Sequence, residues 1–294
     1  MKLNTPAGAL IASLFVFPAL CAAQDTPQQP GPAGGDVPAA KAKKNDIFLP
    51  MPEPVLESFR KPGISIDPKF WQLTEAADAE MVKAKNAKIP RHIDLVKKIV
   101  LTDKPDQPVL IQNSSDFKVL GNGFFLVTGS GGGGVSDSEG TSLSWLGLMM
   151  AYSRAHYTRQ SIYLIEGTVT TQLADLAKFD IKLGTLAPGA TFGWDRTSKQ
   201  QTYFHVVGPL HTTSGRTSDK DLHTRAECTV GERVPASAIF AEFTGNALQI
   251  SCASTGVADI VIELYYLEDY AWFLPHGSRD KTGTIETKVT GIVQ

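Results

Sequence analysis

The hydrophobic pattern of this chain changes character near Gln107. Beyond it, PVLIQ, FKVLG, GFFLVTG, IYLIEGTVTT, FDIKLG, ATFGW and QQTYFHVV are apolar or alternate apolar with polar, and Asn, Ser and Gly separate them. Runs of this period and length, bounded by turn residues, are strand signals. Counted through the last of them, DIVIELYYLEDYAWFL, they predict about eight to ten strands. In that last run Ile260, Ile262, Leu264 and Tyr266 share one face, and Val261, Tyr265 and Leu267 fill much of the other. Two apolar faces mark a central strand.

The clearest alternation lies between Thr224 and Leu274. Ala226, Cys228 and Val230 alternate with Arg225, Glu227 and Thr229, which places Cys228 on an apolar face. ASAIFAEF and ALQISCA then flank Gly245 and Asn246, a pair that tolerates the positive φ of a tight hairpin turn. A two-residue loop sets Phe243 against Leu248, Ala241 against Ile250 and Ile239 against Cys252, so the apolar residues share a face. Both cysteines then point into one core, as a buried disulfide between neighbouring or facing strands requires. Closing a loop of roughly 25 residues in this way contributes about 3.5 kcal/mol in the chain-entropy account.

Three stretches read as helical. Thr74 to Ala87 has helical composition, with Thr74 as N-cap and Glu75 and Asp78 in the first turn. Ile93 to Val100 brings Ile93, Leu95, Val96 and Ile99 within reach of a core, and Ser142 to His156 carries two apolar stripes of helical spacing. The predicted fold is therefore mainly β: an antiparallel β-sandwich or partly closed barrel with a few peripheral helices and an N-terminal extension that contains α-helix. The segments lack the regular ten-residue alternation of a transmembrane barrel.

The start of the chain places this domain outside the cytoplasm. Lys2, an apolar stretch from Leu10 to Leu20, and Cys21-Ala22-Ala23 before Gln24 have the layout of a secretory signal peptide cleaved after Ala23. Lipid anchoring at Cys21 is the alternative, which Leu20 disfavours. Residues 1–23 are read as signal peptide, 24–45 as a flexible Pro/Gly/Ala linker, 46–105 as a mixed extension with short helices, and 106–294 as the β-rich domain. Periplasmic or secreted localisation follows. Losing Cys21 leaves Cys228 and Cys252 as an even pair in an oxidising compartment, which fits one disulfide and no CxxC chemistry.

Charge changes the picture only by exclusion. A formal net charge of −2 gives no reason to expect nucleic acid or an anionic membrane surface. No later segment has the length of apolar residues that a membrane helix needs. A protein or glycan partner at the envelope, and self-association, fit better.

Candidate chemistry sits in three places. Gly129 to Gly140, GSGGGGVSDSEG, reads as a surface loop that lacks the Lys of a phosphate loop and carries Asp137 and Glu139, which suit calcium. Between His205 and His223, a long polar loop gathers His211, Ser214, Asp219, Asp221 and His223. Imidazoles and carboxylates there suit zinc with an open position, and Ser214 beside a histidine suits a nucleophile, although neither HExxH nor GxSxG is present. Tyr270, Trp272 and Phe273 belong to a final aromatic cluster whose first reading is core packing; the alternative is a strand end that grips a partner or sugar, with Tyr270 and Trp272 as the pair best placed for exposure. The first functional expectation is an exported, non-enzymatic binding, adhesion or assembly component. The alternative is a secreted hydrolase with a metal or Ser/His site in the 205–223 loop.

Overall fold

The computed structural model describes Leu73 and residues 89–294, apart from 122, 134–135, 161–163 and 208–212. Twelve antiparallel strands follow one another round a closed barrel: β1 (His92–Leu101), β2 (Lys104–Gly121), β3 (Phe124–Gly133), β4 (Ser136–Trp145), β5 (Met149–Gln160), β6 (Leu164–Phe179), β7 (Thr191–Val207), β8 (Thr213–Pro235), β9 (Asn246–Gly256), β10 (Ile260–Leu267), β11 (Trp272–Asp280) and β12 (Gly283–Val293). The last pairs with the first, so the ring has no free first or last strand. The protein is a barrel rather than a sandwich. Beyond Leu73, the helical elements among the described residues are three short 3-10 turns, and the expected peripheral helices are absent there. The 1–23 and 24–45 segments and the Thr74–Ala87 helix lie outside the described residues.

Residues opposite one another in an antiparallel ladder point to the same face, so the inner face can be traced round the ring. At one level Ile99, Ile285, Ser278, Ile262, Cys252, Cys228 and Phe192 stand side by side. At another, Ile93, Ser115, Gly129, Gly140, Ala155, Val169 and Thr202 do so. Apart from the half-buried Ile99, the large aliphatic members of these rows belong to the buried core, and each contributes about 1.5–3 kcal/mol by leaving water. Outward on β8, β9 and β12 stand Arg225, Glu227, Ser251, Glu286 and Lys288, all exposed. Along these strands the inner face is apolar and the outer face charged.

The cysteines behave as the alternation requires. Cys228 and Cys252 form a disulfide between directly opposed positions of β8 and β9, with Cα atoms 3.9 Å apart. The hairpin expected around Gly245 is corrected, however. Residues 236–245 fold back on themselves, with the Ala236 N–H donating to the Gly245 carbonyl (3.0 Å), and β9 pairs with β8 and β10 instead. Phe243 is still buried, packed against Tyr270 with ring centres 5.3 Å apart. Gly245 keeps its positive φ of 73°.

Two further stretches are strands where helices were expected. In β1, Ile93 and Leu95 are buried on the inner face and are followed there by Lys97, whose charge hides the period of two. In β4 and β5 the inner positions are Ser142, Ser144 and Ser153, while Leu143, Trp145 and Tyr152 on the opposite parity are buried as well. Burial on both faces imitates two helical stripes. The barrel therefore begins at His92, inside the segment read as an extension. The run DIVIELYYLEDYAWFL also proves to be two strands, broken by a 3-10 turn at Glu268–Tyr270 and by Ala271 at φ 44°.

Candidate functional site

The Gly-rich stretch lies at the centre of a broad depression. Rather than a loop, most of it is strand: β3 ends in Gly129–Gly133, and Ser136 to Gly140 pair with it at the start of β4. With no side chain beyond a serine hydroxyl there, β3 forms a low floor. Neighbours lean over it. The Asp137 carboxylate occupies the space a Cβ on Gly132 would need, and the Asn113 amide does the same at Gly131 on the opposite face.

Two rows of outward residues cross this floor. Asp94, Ser114, Ser130, Glu139 and His156 stand level on β1 to β5, and Val96, Gln112, Gly132, Asp137 and Thr158 form the next row. Together they line a groove of about 880 Å³. Three carboxylates, hydroxyls, an amide and an imidazole make it a surface of hydrogen-bond acceptors with some donors. Donor-rich groups of a ligand, amines or hydroxyls, are what it suits.

One wall of the groove is fixed by His92. Its Nδ1 lies 2.8 Å from Asp116 and its Nε2 lies 3.1 Å from Asp94 and 3.2 Å from the Ser114 hydroxyl. The hydrogen bond to Asp116 holds the imidazole above its ordinary value, against partial desolvation and with help from Asp94. Protonated, both ring nitrogens donate, and β1 is tied to β2 beside Asp94.

Of the residues singled out by sequence, Asp137 and Glu139 fall in this groove. The others do not. Asp219, Asp221 and His223 lie at alternate positions along β8, on its outer face and exposed, so successive members stand about 6.8 Å apart. His223 meets Asp195 of β7 at 3.5 Å and Thr197 at 3.5 Å. His211 lies outside the described residues. The expected 205–223 loop is largely the β7–β8 ladder, in which Ser214 stands opposite Val206. Among the described residues no group of three or more His, Cys, Asp or Glu is placed to hold a metal ion.

Of the two readings of the aromatic end, core packing holds and the exposed binding end is corrected. Tyr270, Trp272 and Phe273 are at most 3% exposed. The Tyr270 hydroxyl accepts from the Thr244 N–H at 3.2 Å, and Trp272 meets Phe117 edge-on at 5.5 Å. The turn at Glu268–Tyr270 folds these rings into the barrel instead of ending a strand in solvent. What sequence reasoning missed is the β1–β2 side of the groove: His92, Asp94, Ser114 and Asp116. Its signal is the polar alternation of HID and NSSD, which disappears if β1 is taken for a helix.

Fold and groove together define a closed antiparallel barrel with an acceptor-rich channel across five of its strands. No family model matches the chain, and no curated protein matches it. Among solved structures it is similar to a β-barrel-like protein of a domain of unknown function, DUF1849, from Brucella abortus. The likeness covers 70% of this chain and 98% of that one, at 10% identity and a TM-score of 0.33.

Proposed function

We propose that this protein is a non-enzymatic binding component of the cell envelope, exported by its N-terminal leader, which holds a donor-rich polar segment of a protein or glycan along the outer groove. The observation that carries this reading is the groove itself. Five adjacent strands contribute hydrogen-bonding side chains to one surface of about 880 Å³, the size at which ligand sites are found. Its carboxylates, Asp94, Asp137 and Glu139, select for amines and hydroxyls and against anions.

The test is a titration calorimetry comparison of mature wild-type protein with an Asp137→Asn, Glu139→Gln double variant, against peptidoglycan fragments and a lysine-rich peptide. Saturable binding that the double variant loses supports the reading. Absence of binding to both probes, or binding that the variant keeps unchanged, overturns it. The export part is checked separately: protein recovered from a periplasmic fraction should begin at Gln24.

A further inference from the structure

The inside of the barrel carries charge where little is expected. By register, Lys97 of β1 continues the inner row of Ile93 and Leu95, and it is 8% exposed. Beside it stand Ile111 of β2 and Thr287 of β12, with Asn113 on the diagonal, and none of these is charged. Burial pushes its amine down to about 8. On β7, Arg196 shares the inner face with Trp194 and Ser198. Its Nη1 meets only the Met149 sulfur, at 3.0 Å, and its Nε is buried without a partner.

Neither cation has a carboxylate partner among the described residues. Most acidic side chains of the wall are on the other side: Asp94, Asp137, Glu139, Asp195, Glu227 and Glu263 all take outward positions, and Asp280, on the inner parity at the end of β11, accepts from the Thr282 and Gly283 N–H groups of its own turn. The inner face adds cations toward its exposed end, where Arg159 and Lys220 reach solvent. Between the two ends lies a wall of small polar groups. The hydroxyls of Ser115, Ser144 and Ser153 are buried without partners, and Ser115 and Ser144 border a cavity of about 20 Å³ that Trp272 also lines. An uncompensated buried cation and an unmade hydrogen bond each cost free energy. Their accumulation on one face marks a place built for something that supplies negative charge and acceptors.

We propose that the barrel interior binds an anionic ligand of the carboxylate or phosphate class, with Lys97 and Arg196 as its charge partners and the serine wall of β2, β4 and β5 as its donors. Arg159 and Lys220 at the exposed end draw it in by their field. This site uses none of the residues of the outer groove, and its ligand has the opposite charge.

The test uses mature wild-type protein and three probes at constant ionic strength: inorganic phosphate, acetate and octanoate. The expected result is a saturable rise in melting temperature with at least one probe, and an affinity about tenfold or more weaker in each of Lys97→Gln and Arg196→Gln. Octanoate binding more tightly than acetate assigns the anion to an acyl carboxylate; phosphate alone assigns it to a free oxyanion. The Asp137→Asn, Glu139→Gln variant should keep the response in full, which separates this site from the groove. Should either cation variant fail to fold, the Lys97 amine resonance of the wild type is followed by NMR, and it should shift with the titration. No saturable response to any probe, or binding unchanged in both variants, or an unmoved Lys97 resonance at saturation overturns the proposal.

Discussion

The two halves of the barrel wall are built from different residues on the same inner face. From β8 to β11, level positions hold Cys228, Cys252 and Ile262, then Val230, Ile250 and Leu264, then Leu248, Tyr266 and Phe273, all buried. From β2 to β6 the corresponding positions hold Ser115, Gly129, Gly140, Ala155 and Val169, then Phe117, Val127, Ser142, Ser153 and Thr171. The first half removes large apolar area from water and is cross-linked. The second intersperses apolar residues such as Phe125, Val127 and Val169 with glycine and serine, and leaves hydroxyls unpaired. The difference teaches that closure of the ring does not require uniform packing: one clamped half carries the stability, and the other is left free to be shaped for contents and for the groove outside it.

The largest test of that division is the disulfide. Cys228→Ser with Cys252→Ser should lower the unfolding free energy by about 3.5 kcal/mol, read from urea denaturation, and Ile262→Ala in the same half should cost about 2–5 kcal/mol. A loss below about 1 kcal/mol in both would mean that this half is not the anchor.

Close behind comes Lys97, at the join of the halves. Its amine titrates at about 8 in the folded chain against 10.5 unfolded. Below the folded value both states hold the proton, and the cost of burying the charge is fully present, about 3 kcal/mol at 1.36 per unit. As pH rises through the folded value the native state releases its proton first, so the unfolded state binds more protons and stability increases with pH until the unfolded value is passed. Lys97→Met should therefore stabilise the anion-free protein at neutral pH by up to that amount and flatten the alkaline rise. Thermal unfolding of the two proteins across neutral to alkaline pH measures both. A destabilised Lys97→Met variant would instead show that the amine has a stabilising partner inside the barrel.

The same contrast explains what could be read from the sequence. The disulfide and the two faces of β8 were legible because Arg225, Glu227 and Thr229 alternate cleanly with Ala226, Cys228 and Val230, the pattern of a strand with one wet face. Inverted or mixed faces were not. Ser142, Ser144 and Ser153 point inward while Leu143 and Trp145 are buried on the other parity, so period two carries no polarity and a helix fits as well. Lys97 broke β1 in the same way. Asp137 and Glu139 were found by their carboxylates, whereas Asp94 and His92 join them only through the successive pairings of β1 with β2, β2 with β3 and β3 with β4, which no local pattern contains.

Smaller effects should appear on the serine wall. Ser115, Ser144 and Ser153 each bury a hydroxyl without a partner, and replacing any of them by Ala should raise stability by about 1 kcal/mol in the unliganded protein, since a desolvated unpaired group is removed. In the clamped half, by contrast, any truncation should destabilise. Losses in all three serine variants would show that the hydroxyls are satisfied by ordered water, for which the cavity of about 20 Å³ beside Ser115 and Ser144 has room for one molecule.

The smallest expected effect is the pH response of the groove wall. His92 gains Asp116 and Asp94 as partners on folding, and its value is raised above the ordinary 6.5. A raised base binds its proton more tightly in the native state, so its contribution is fully present below the unfolded value and is lost as pH rises through the folded one. The ring is partly open to water, which holds the contribution to about 0.5 kcal/mol or less. Its local consequence is larger than its global one: once the imidazole is neutral it can donate to only one of the two carboxylates, and the tie between β1 and β2 weakens beside Asp94. Hydrogen exchange at Asn113 to Phe117 should then quicken above the His92 midpoint in the wild type. His92→Gln should remove that step while leaving exchange around Cys228 and Cys252 unchanged; a step that survives the substitution would assign the pH response to some other group.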